Sequence, residues 1–316
     1  MYFSPWNIKK IKYTFEPKMK LKVTIGIFLI VFLGLVLLLY ANGKSSNDYA
    51  ISQMASLDEN PVSNEMQTEK TESDYDEPET KIEPTVSDSI FEICKPAPLT
   101  GVSEQIIKKK AYIVSYNKDT KIPNWVAWHL TGDHSDGPVG RSNAFYEDEE
   151  VPAPRATSED YRGSGWSRGH MCPAGDNKWD VEAMKQSFSL INVCPQDASL
   201  NSGLWNSIEI DCRNWAKRFQ DIYIICGPVF YKQEHELIGN NKVYVPEAFF
   251  KVVLCLNGEP KGMGFIVKNN AGTKKKDLYY NSIDQVERIT GIDFFPILPD
   301  DLENDIESQL DMDLWK

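Results

Sequence analysis

His170 and its neighbours are the residues of this sequence best suited to chemistry on a phosphate. His170 is one of four histidines and directly follows Arg168 and Gly169, with Pro173 and Gly175 a few residues beyond. We expect a stiff, exposed loop here, and core packing explains a histidine in such a loop poorly. An imidazole titrates near neutral pH and can remove a proton from water, while a guanidinium can hold a phosphate oxygen. The segment therefore predicts a general base next to an anion-binding group.

A second set of chemically useful residues recurs at every fourth position further along the chain. Asn201, Trp205, Glu209 and Arg213 would each lie about 40° around a helix from the previous one, on a slowly turning polar stripe. A neutral oxygen, a carboxylate and a guanidinium suit a Mg²⁺ ion that is held mainly by water and phosphate oxygens. A purely structural explanation also stays open: Asn201 or Ser202 could cap the helix, and Glu209 could pair with Arg213.

These residues need a scaffold of strands and helices to bring them together. Runs of β-branched and aromatic residues predict strands over residues 111–116, 125–130, 188–193, 222–226, 249–256 and 264–267. A helix is expected over residues 200–219, with an apolar stripe formed by Leu204, Ile208, Cys212, Trp215 and Phe219. A second helix is expected over residues 283–290, ended by Gly291. The pattern predicts an α+β domain with a mainly antiparallel central sheet over residues 90–300, followed by an acidic tail over residues 301–316.

The N-terminal part of the chain predicts export to or through a membrane. Residues 23–41 are apolar and uncharged, long enough nearly to span a bilayer, and six lysines precede them in the basic segment 1–22. The lysines should stay cytoplasmic, which gives a transmembrane helix with an extracytoplasmic catalytic domain. A cleaved signal over residues 19–43 is the alternative and gives a secreted or periplasmic protein. Residues 42–89 are acidic and poor in aliphatic side chains, so we expect a disordered linker.

The net charge of −12 gives no sign of a basic surface that wraps nucleic acid. Much of the negative charge lies in the linker and near the C-terminus, so the function must rest on a local site. Six cysteines allow up to three disulfides in an oxidising compartment without selecting a pairing. No two cysteines are separated by two residues, which argues against a structural zinc site.

The remaining histidines and the tryptophans have simpler explanations than catalysis. His129 lies in a predicted strand, and His134 and His235 lie in predicted polar loops that we expect at the surface. The tryptophans at positions 125, 128, 205 and 215 are expected in the core rather than as platforms for stacked bases.

Several ordered motifs together resemble one known family, the DNA/RNA non-specific endonucleases of the endonuclease G-like type. The motifs are Ser167-Arg168-Gly169-His170, then Pro195-Gln196, and then Asn201, Glu209 and Arg213 in the predicted helix. Flanking stretches are similar too, including YIVSYNKDTKIPNWVAWHL before the site and GIDFFPILP near the end. The resemblance covers most of residues 110–300, and the number of motifs with fitting gaps makes it specific.

The resemblance implies a ββα-metal nuclease fold and a set of roles. His170 would be the general base that activates the attacking water, and Asn201 would be the single direct protein ligand of Mg²⁺, with Mn²⁺ as an alternative ion. Glu209 would hold a metal-bound water. Phosphate binding and stabilisation of the extra negative charge of the transition state would fall to Arg141, Arg168 and Arg213. Hydrolysis of DNA and RNA would leave 5′-phosphate ends.

One position departs from the family pattern. The family has Asp before Arg-Gly-His where this chain has Ser167, which keeps a hydrogen-bonding group but loses a negative charge. We expect retained activity with an altered rate or pH dependence. The resemblance also implies that Asn192, just upstream of the helix, helps to place the shell around the metal.

Two other functions stay open on the sequence. A non-catalytic nucleic-acid-binding or uptake module on a membrane tether would bind without cleaving, although intact His170, Asn201 and Glu209 argue against it. Another phosphodiesterase or phosphatase on the same scaffold would act on small phosphate esters. DNA and RNA are the expected substrates of the leading interpretation, and the sequence indicates no protein partner.

Overall fold

The strands form where β-branched and aromatic side chains follow one another, because these side chains pack well on a pleated, buried surface. The computed structural model describes residues 91–271 and 275–316. Within these residues the strands are β1 (Gln105–Lys108), β2 (Ile113–Asn117), β3 (Ile122–Thr131), β4 (Ser167–His170), β5 (Val193–Gln196), β6 (Asp221–Val229), β7 (Leu237–Ile238), β8 (Val243–Tyr244), β9 (Ala248–Cys255), β10 (Lys261–Lys268) and β11 (Tyr280–Asn281).

The helices pack around these strands. In chain order they are α1 (Gly132–Asp136), α2 (Ser158–Tyr161), α3 (Val181–Ser187), α4 (Ala198–Leu200), α5 (Asn206–Phe219), α6 (Ile283–Thr290) and α7 (Asp300–Ser308). Within the described ranges, seven strands form one sheet in the order β1–β2–β3–β6–β9–β10–β11, and each pair is antiparallel. The expected α+β fold with a mainly antiparallel central sheet is confirmed.

A separate two-stranded ribbon carries the motif residues. Strand β4 pairs with β5 in antiparallel register, with Ser167 opposite Gln196 and His170 opposite Val193. The chain then enters α4, continues through a π-helical turn over Asn201–Trp205, and runs on into α5. Ribbon and helix together form a ββα unit, whose first strand lies where the sequence suggested a loop.

The helix predicted over residues 200–219 is confirmed and begins slightly earlier. The Asp197 carboxylate caps it by accepting hydrogen bonds from the backbone N–H groups of Ser199 and Leu200. Neither Asn201 nor Ser202 is therefore needed as a cap. The predicted apolar stripe is buried at Leu204, Ile208, Cys212 and Trp215.

The strand predicted over residues 188–193 is wrong in its first part. Leu190–Asn192 form a 3₁₀ turn, and β5 begins only at Val193. The Asn192 side chain donates a hydrogen bond to the backbone oxygen of Ser187 at 2.8 Å. Such a local bond between a side chain and the backbone competes with strand pairing.

The expected acidic tail packs against the domain. Residues 300–308 form α7, and Met312–Trp315 form a 3₁₀ turn. Trp315 is buried, with its ring centroid 4.7 Å from that of Trp215, and its backbone oxygen accepts a hydrogen bond from Trp215 Nε1 at 3.1 Å. Burial of these two aromatic rings favours packing of the tail on the domain.

All six cysteines are buried and none forms a disulfide, so the disulfides that the sequence would allow are absent. The cysteines are spread through the core on several elements and contribute to it as small apolar side chains. Within the described ranges no helix is both long and apolar enough to cross a membrane. The anchor predicted over residues 23–41 and the linker over 42–89 lie outside those ranges.

Candidate active site

His170 lies at the end of β4, where it is buried rather than exposed. Only 7% of its surface is accessible, and its ring packs between those of Phe145 and Phe188, with centroids 5.1 and 4.8 Å away. The Arg168 guanidinium lies 4.3 Å from the Phe145 ring centroid, and that of Arg141 lies 5.3 Å from the Phe188 centroid. The predicted exposed loop is therefore wrong, because two aromatic rings cover the imidazole.

Backbone hydrogen bonds tie the loop that carries Arg141 and Phe145 to the segment around Phe188. Tyr146 N donates to Phe188 O at 3.2 Å, and Leu190 N donates to Tyr146 O at 3.0 Å. This short bridge brings an arginine and an aromatic ring from a distant part of the sequence to the imidazole.

The surroundings keep His170 uncharged. Burial, followed by the positive charges of Arg141 and Arg168, lowers the pKa of His170 from 6.5 to about 3. Its Nε2 is buried and has no hydrogen-bond partner among the described residues. At neutral pH the imidazole is therefore in the form that can accept a proton.

Asn192 fixes the chain after His170 and does not join the polar side chains of the site. It is fully buried, its Oδ1 accepts from Cys172 N at 2.8 Å, and its Nδ2 donates to Cys172 O and Ser187 O. Its backbone oxygen accepts from Met171 N at 2.9 Å. Because backbone groups use both Oδ1 and Nδ2 of Asn192, this geometry does not support the expected role of Asn192 in placing the shell around a metal.

Ser167, the residue that departs from the family pattern, orients Asn201. Asn201 Nδ2 donates to Ser167 Oγ at 3.3 Å, and Ser167 Oγ donates to the backbone oxygen of Gln196 at 2.7 Å. Asn201 Oδ1 accepts none of the hydrogen bonds found among the described residues. The amide nitrogen is therefore held, while the oxygen, the atom suited to a hard cation, stays unused.

The π-helical turn changes which residues share a face of the helix. In a regular α-helix, Asn201 and Glu209 would lie about 80° apart. A π turn takes up one extra residue, so the eight steps between them correspond to roughly seven α-helical steps, which return to within about 20° of the same face. The amide and the carboxylate are thus brought much closer to alignment than the spacing alone predicts.

Glu209 is half-buried and does not pair with Arg213, the structural alternative that the sequence left open. Burial raises the pKa of Glu209 to about 7, against the lowering effect of Lys251. Arg213 Nη1 instead pairs with Asp176 Oδ1 at 2.9 Å. A Cβ atom at Gly175 would come within 2.9 Å of Arg213 Nη1, so a larger residue there would have to displace the guanidinium.

A buried cation, Lys251, underlies this part of the site and was not found from the sequence. It is fully buried on β9, with Nζ 4.8 Å from the Trp128 ring centroid and 4.7 Å from that of Trp205. Burial acts to lower the pKa of Lys251, but neighbouring cysteines, Glu209 and Asp176 raise it above its usual value. A lysine inside the apolar run FFKVVL is the signal that could have revealed it.

The other histidines are engaged elsewhere. His129, on β3 as predicted, has Nε2 2.9 Å from Asp221 Oδ2. His235 Nδ1 lies 3.0 Å from Glu247 Oε1. His134 lies in the short helix α1 rather than in a loop, and its ring stacks 4.8 Å from that of Trp179. Burial lowers the pKa of His134 to about 4.

Known proteins match this chain in both sequence and fold. The human mitochondrial nuclease EXOG is 36% identical over 237 residues, which cover 69% of this chain and 63% of that protein. Nuclease C1 of Cunninghamella echinulata var. echinulata is 34% identical over 227 residues, covering 66% of this chain and 88% of that protein. The chain thus spans less than two thirds of the length of the EXOG nuclease.

A solved structure and a family profile extend the match. A chain in the crystal structure of an EndoG/EndoGI complex superposes with a TM-score of 0.63 at 26% identity, covering 68% of this chain and 94% of that chain. The sequence profile described as DNA/RNA non-specific endonuclease matches residues 91–301. Because that profile covers more than half of the sequence, the chain belongs to the DNA/RNA non-specific endonuclease family.

Proposed function

We propose that this chain is a Mg²⁺-dependent endonuclease that hydrolyses phosphodiester bonds in DNA and RNA and leaves 5′-phosphate ends. The observation that carries the proposal is the uncharged imidazole of His170, whose Nε2 has no partner among the described residues. The imidazole lies between two aromatic rings, and an arginine side chain stacks on each of these rings. The same strand carries Ser167, which accepts a hydrogen bond from Asn201. Membership of the family supports the reaction class.

The residues on the polar face of the helix fit a hard divalent cation. Asn201 presents a neutral amide oxygen, and the carboxylate of Glu209 forms no ion pair among the described residues. Proteins usually hold Mg²⁺ with few protein ligands, and water and substrate oxygens supply the rest. Mn²⁺ fits the same donors. When bound, the ion would stabilise negative charge on the phosphate and on the leaving 3′-oxygen.

His170 acts as the general base in this proposal. Its Nε2 takes the proton of the attacking water, which needs an unprotonated imidazole. A phosphodiester that binds beside Arg141 and Arg168 cancels part of the positive field that depresses the pKa of His170. Basicity therefore rises when the substrate is in place.

The arginines bind the phosphate and stabilise the charge that develops on it. Arg141 and Arg168 rest on the two aromatic rings that cover His170, while Asp176 holds Arg213 in place. Contacts of this kind are made to the phosphate and carry no information about base or sugar. The proposed activity is accordingly non-specific and weakens as salt concentration rises.

The test is cleavage of supercoiled plasmid and of RNA by the full chain in Mg²⁺, in Mn²⁺ and in EDTA. A His170→Ala variant should lose roughly 10²–10⁴-fold in rate, as expected for loss of a general base. A matched His129→Gln variant changes a histidine that pairs with Asp221 and should keep the activity. Metal-independent cleavage, or an active His170→Ala variant, would contradict the proposal.

The non-catalytic binding module is the competing outcome of that experiment. A folded chain that binds plasmid and RNA in Mg²⁺ but leaves both intact would favour it. Hydrolysis of small phosphodiesters without cleavage of polynucleotides would instead favour another phosphodiesterase.

The proposed location is outside the cytoplasm, with residues 23–41 as a membrane anchor or residues 19–43 as a cleaved signal. The support is the apolar run and the six lysines before it. Protease treatment of intact cells tests this, because an external domain is degraded while a cytoplasmic control protein survives. The similar human nuclease EXOG is mitochondrial by name, so protection from protease within an organelle would count against an exported domain.

A further inference from the structure

A group of carboxylates between α6 and α7 has no part in the proposed reaction. Asp284 and Glu287 are three residues apart on α6, which places them on one face of that helix. Glu307 lies on α7, and one oxygen from each of the three residues lies within 4.8 Å of the other two. We call Asp284, Glu287 and Glu307 the acidic cluster.

One acid of the cluster is buried, and no described residue satisfies its hydrogen-bonding capacity. Glu307 is only 6% exposed, and its Oε1 is buried with no hydrogen-bond partner among the described residues. Glu303, one turn earlier on α7, also has a buried Oε1 without a partner there. Burying an unpaired carboxylate is costly, so a native structure that keeps one has a reason for it.

Among residues 91–271 and 275–316, no positive charge balances the acidic cluster. Burial raises the pKa of Glu307 to about 9, and the charged groups acting on it are all carboxylates: Glu287, Glu303, Asp284 and Asp293. In the part of the chain that the structure describes, none of the cluster carboxylates forms an ion pair. Glu287 Oε1 accepts from Phe294 N at 2.8 Å, so this carboxylate is also fixed in position.

We propose that the acidic cluster is a Ca²⁺ site that joins α6 to α7, separate from the candidate active site. Several carboxylates and a flexible number of oxygens suit Ca²⁺, whereas Mg²⁺ prefers few carboxylates and keeps most of its water. Glu303 lies one turn before Glu307 on the same helix, and its charge adds to the negative field on Glu307. Bound Ca²⁺ would neutralise the repulsion and fix the C-terminal helix on the domain.

The experiment is thermal unfolding of the full chain in EDTA and in about 10 mM Ca²⁺. An Asn201→Ala background removes the proposed ligand at the active site, so that its response to ions does not interfere. Because Ca²⁺ would bind only the folded state, we expect the Tm to rise by about 3–10 °C. Addition of Glu307→Gln should abolish the rise and leave the Tm in EDTA equal to or above that of the parent.

Asp305→Asn is the matched control, because Asp305 is an exposed acid on the same helix. It should keep the full Ca²⁺ response. Asp284→Asn is a second test at a half-buried position and should weaken the response even if Glu307→Gln fails to fold. No rise in the Asn201→Ala parent, or an equal rise in the Glu307→Gln and Asp284→Asn variants, would overturn the proposal. If the parent shows no Ca²⁺ response and Glu307→Gln has a higher Tm in EDTA, the proposal is also overturned. Glu307 would then be a buried protonated acid and not a metal ligand.

Discussion

The His170 site and the acidic cluster each concentrate charges of one sign around a buried titratable group, positive at His170 and negative at Glu307. At each place a buried titratable group is surrounded by charges of the same sign as its own ionised form. Each group also has an atom without a hydrogen-bond partner among the described residues. Arginines and burial lower the pKa of His170 to about 3, whereas burial and carboxylates raise the pKa of Glu307 to about 9. Both groups are therefore uncharged at neutral pH.

This difference indicates what each region is built to receive. A fold that holds like charges together gains stability when a ligand of the opposite charge binds. An excess of positive charge around His170 suits a phosphate, and an excess of negative charge around Glu307 suits a cation. Four predictions test or refine this contrast.

The largest effect is expected from Asn201→Ala, which removes the proposed metal ligand from the positively charged region. Loss of metal stabilisation worth several kcal/mol should lower the cleavage rate by about 10²–10³-fold at a fixed Mg²⁺ concentration. Plasmid cleavage across a Mg²⁺ titration measures it. Asn206→Ala alters an exposed asparagine on the same helix and should behave as wild type. Equal losses in the two variants would exclude a special role for Asn201.

Lys251→Met asks whether the buried cation beneath the active site balances Asp176 and Glu209. Removing one partner from a buried charged group leaves the others uncompensated, which costs about 3–5 kcal/mol in the free energy of unfolding. Denaturant unfolding monitored by tryptophan fluorescence checks this. The comparison is Lys268→Met, an exposed lysine on β10, which should change the stability by less than about 0.5 kcal/mol. A stable Lys251→Met protein would mean that the surrounding acids are already neutral.

The third prediction concerns the pH dependence of stability in EDTA, which should have opposite signs in the two regions. The pKa of Glu307 is raised from 4.5 on folding. Its contribution to the free energy of unfolding is therefore fully present below pH 4.5 and is lost as the pH rises towards about 9. The pKa of His170 is lowered from 6.5, so its contribution is present above pH 6.5 and is lost as the pH falls towards about 3.

Substitutions at the two positions isolate these contributions. The free energy of unfolding of Glu307→Gln, relative to wild type, should increase as the pH rises. That of His170→Phe, relative to wild type, should increase as the pH falls. Urea unfolding at several pH values, at fixed ionic strength, gives both slopes. Slopes of the same sign would break the comparison.

The smallest effect is expected from Ser167→Asp, which restores the family residue and adds one negative charge beside Asn201 and Arg168. Activity should be retained, with the acid limb of the pH–rate profile moved upward by less than about one unit, since the new charge partly offsets the arginines that act on His170. Ser202→Asp adds the same charge at an exposed position and serves as control. An unchanged profile for Ser167→Asp would remove the idea that this position tunes the site.

Local sequence patterns were enough for the fold class and for selecting candidate site residues. The apolar stripe of the helix, the β-branched strands and the motif residues depend on periodicity and side-chain type, which neighbouring residues determine. The burial of His170 could not be predicted in this way, because Phe145 and Phe188 reach it through hydrogen bonds between distant segments. The same holds for Asn192, whose amide is used by the backbone on both sides.

The sequence by itself determined the family, the α+β class and the identity of His170, Asn201 and Glu209 as candidate site residues. Only the tertiary structure decided that a π turn brings Asn201 and Glu209 towards one face, and that Lys251 lies beneath them. It alone decided that Glu307 meets two acids of another helix. The reason is physical: type and spacing follow from local chain geometry, whereas the field at a buried group depends on charges that packing collects from the whole domain.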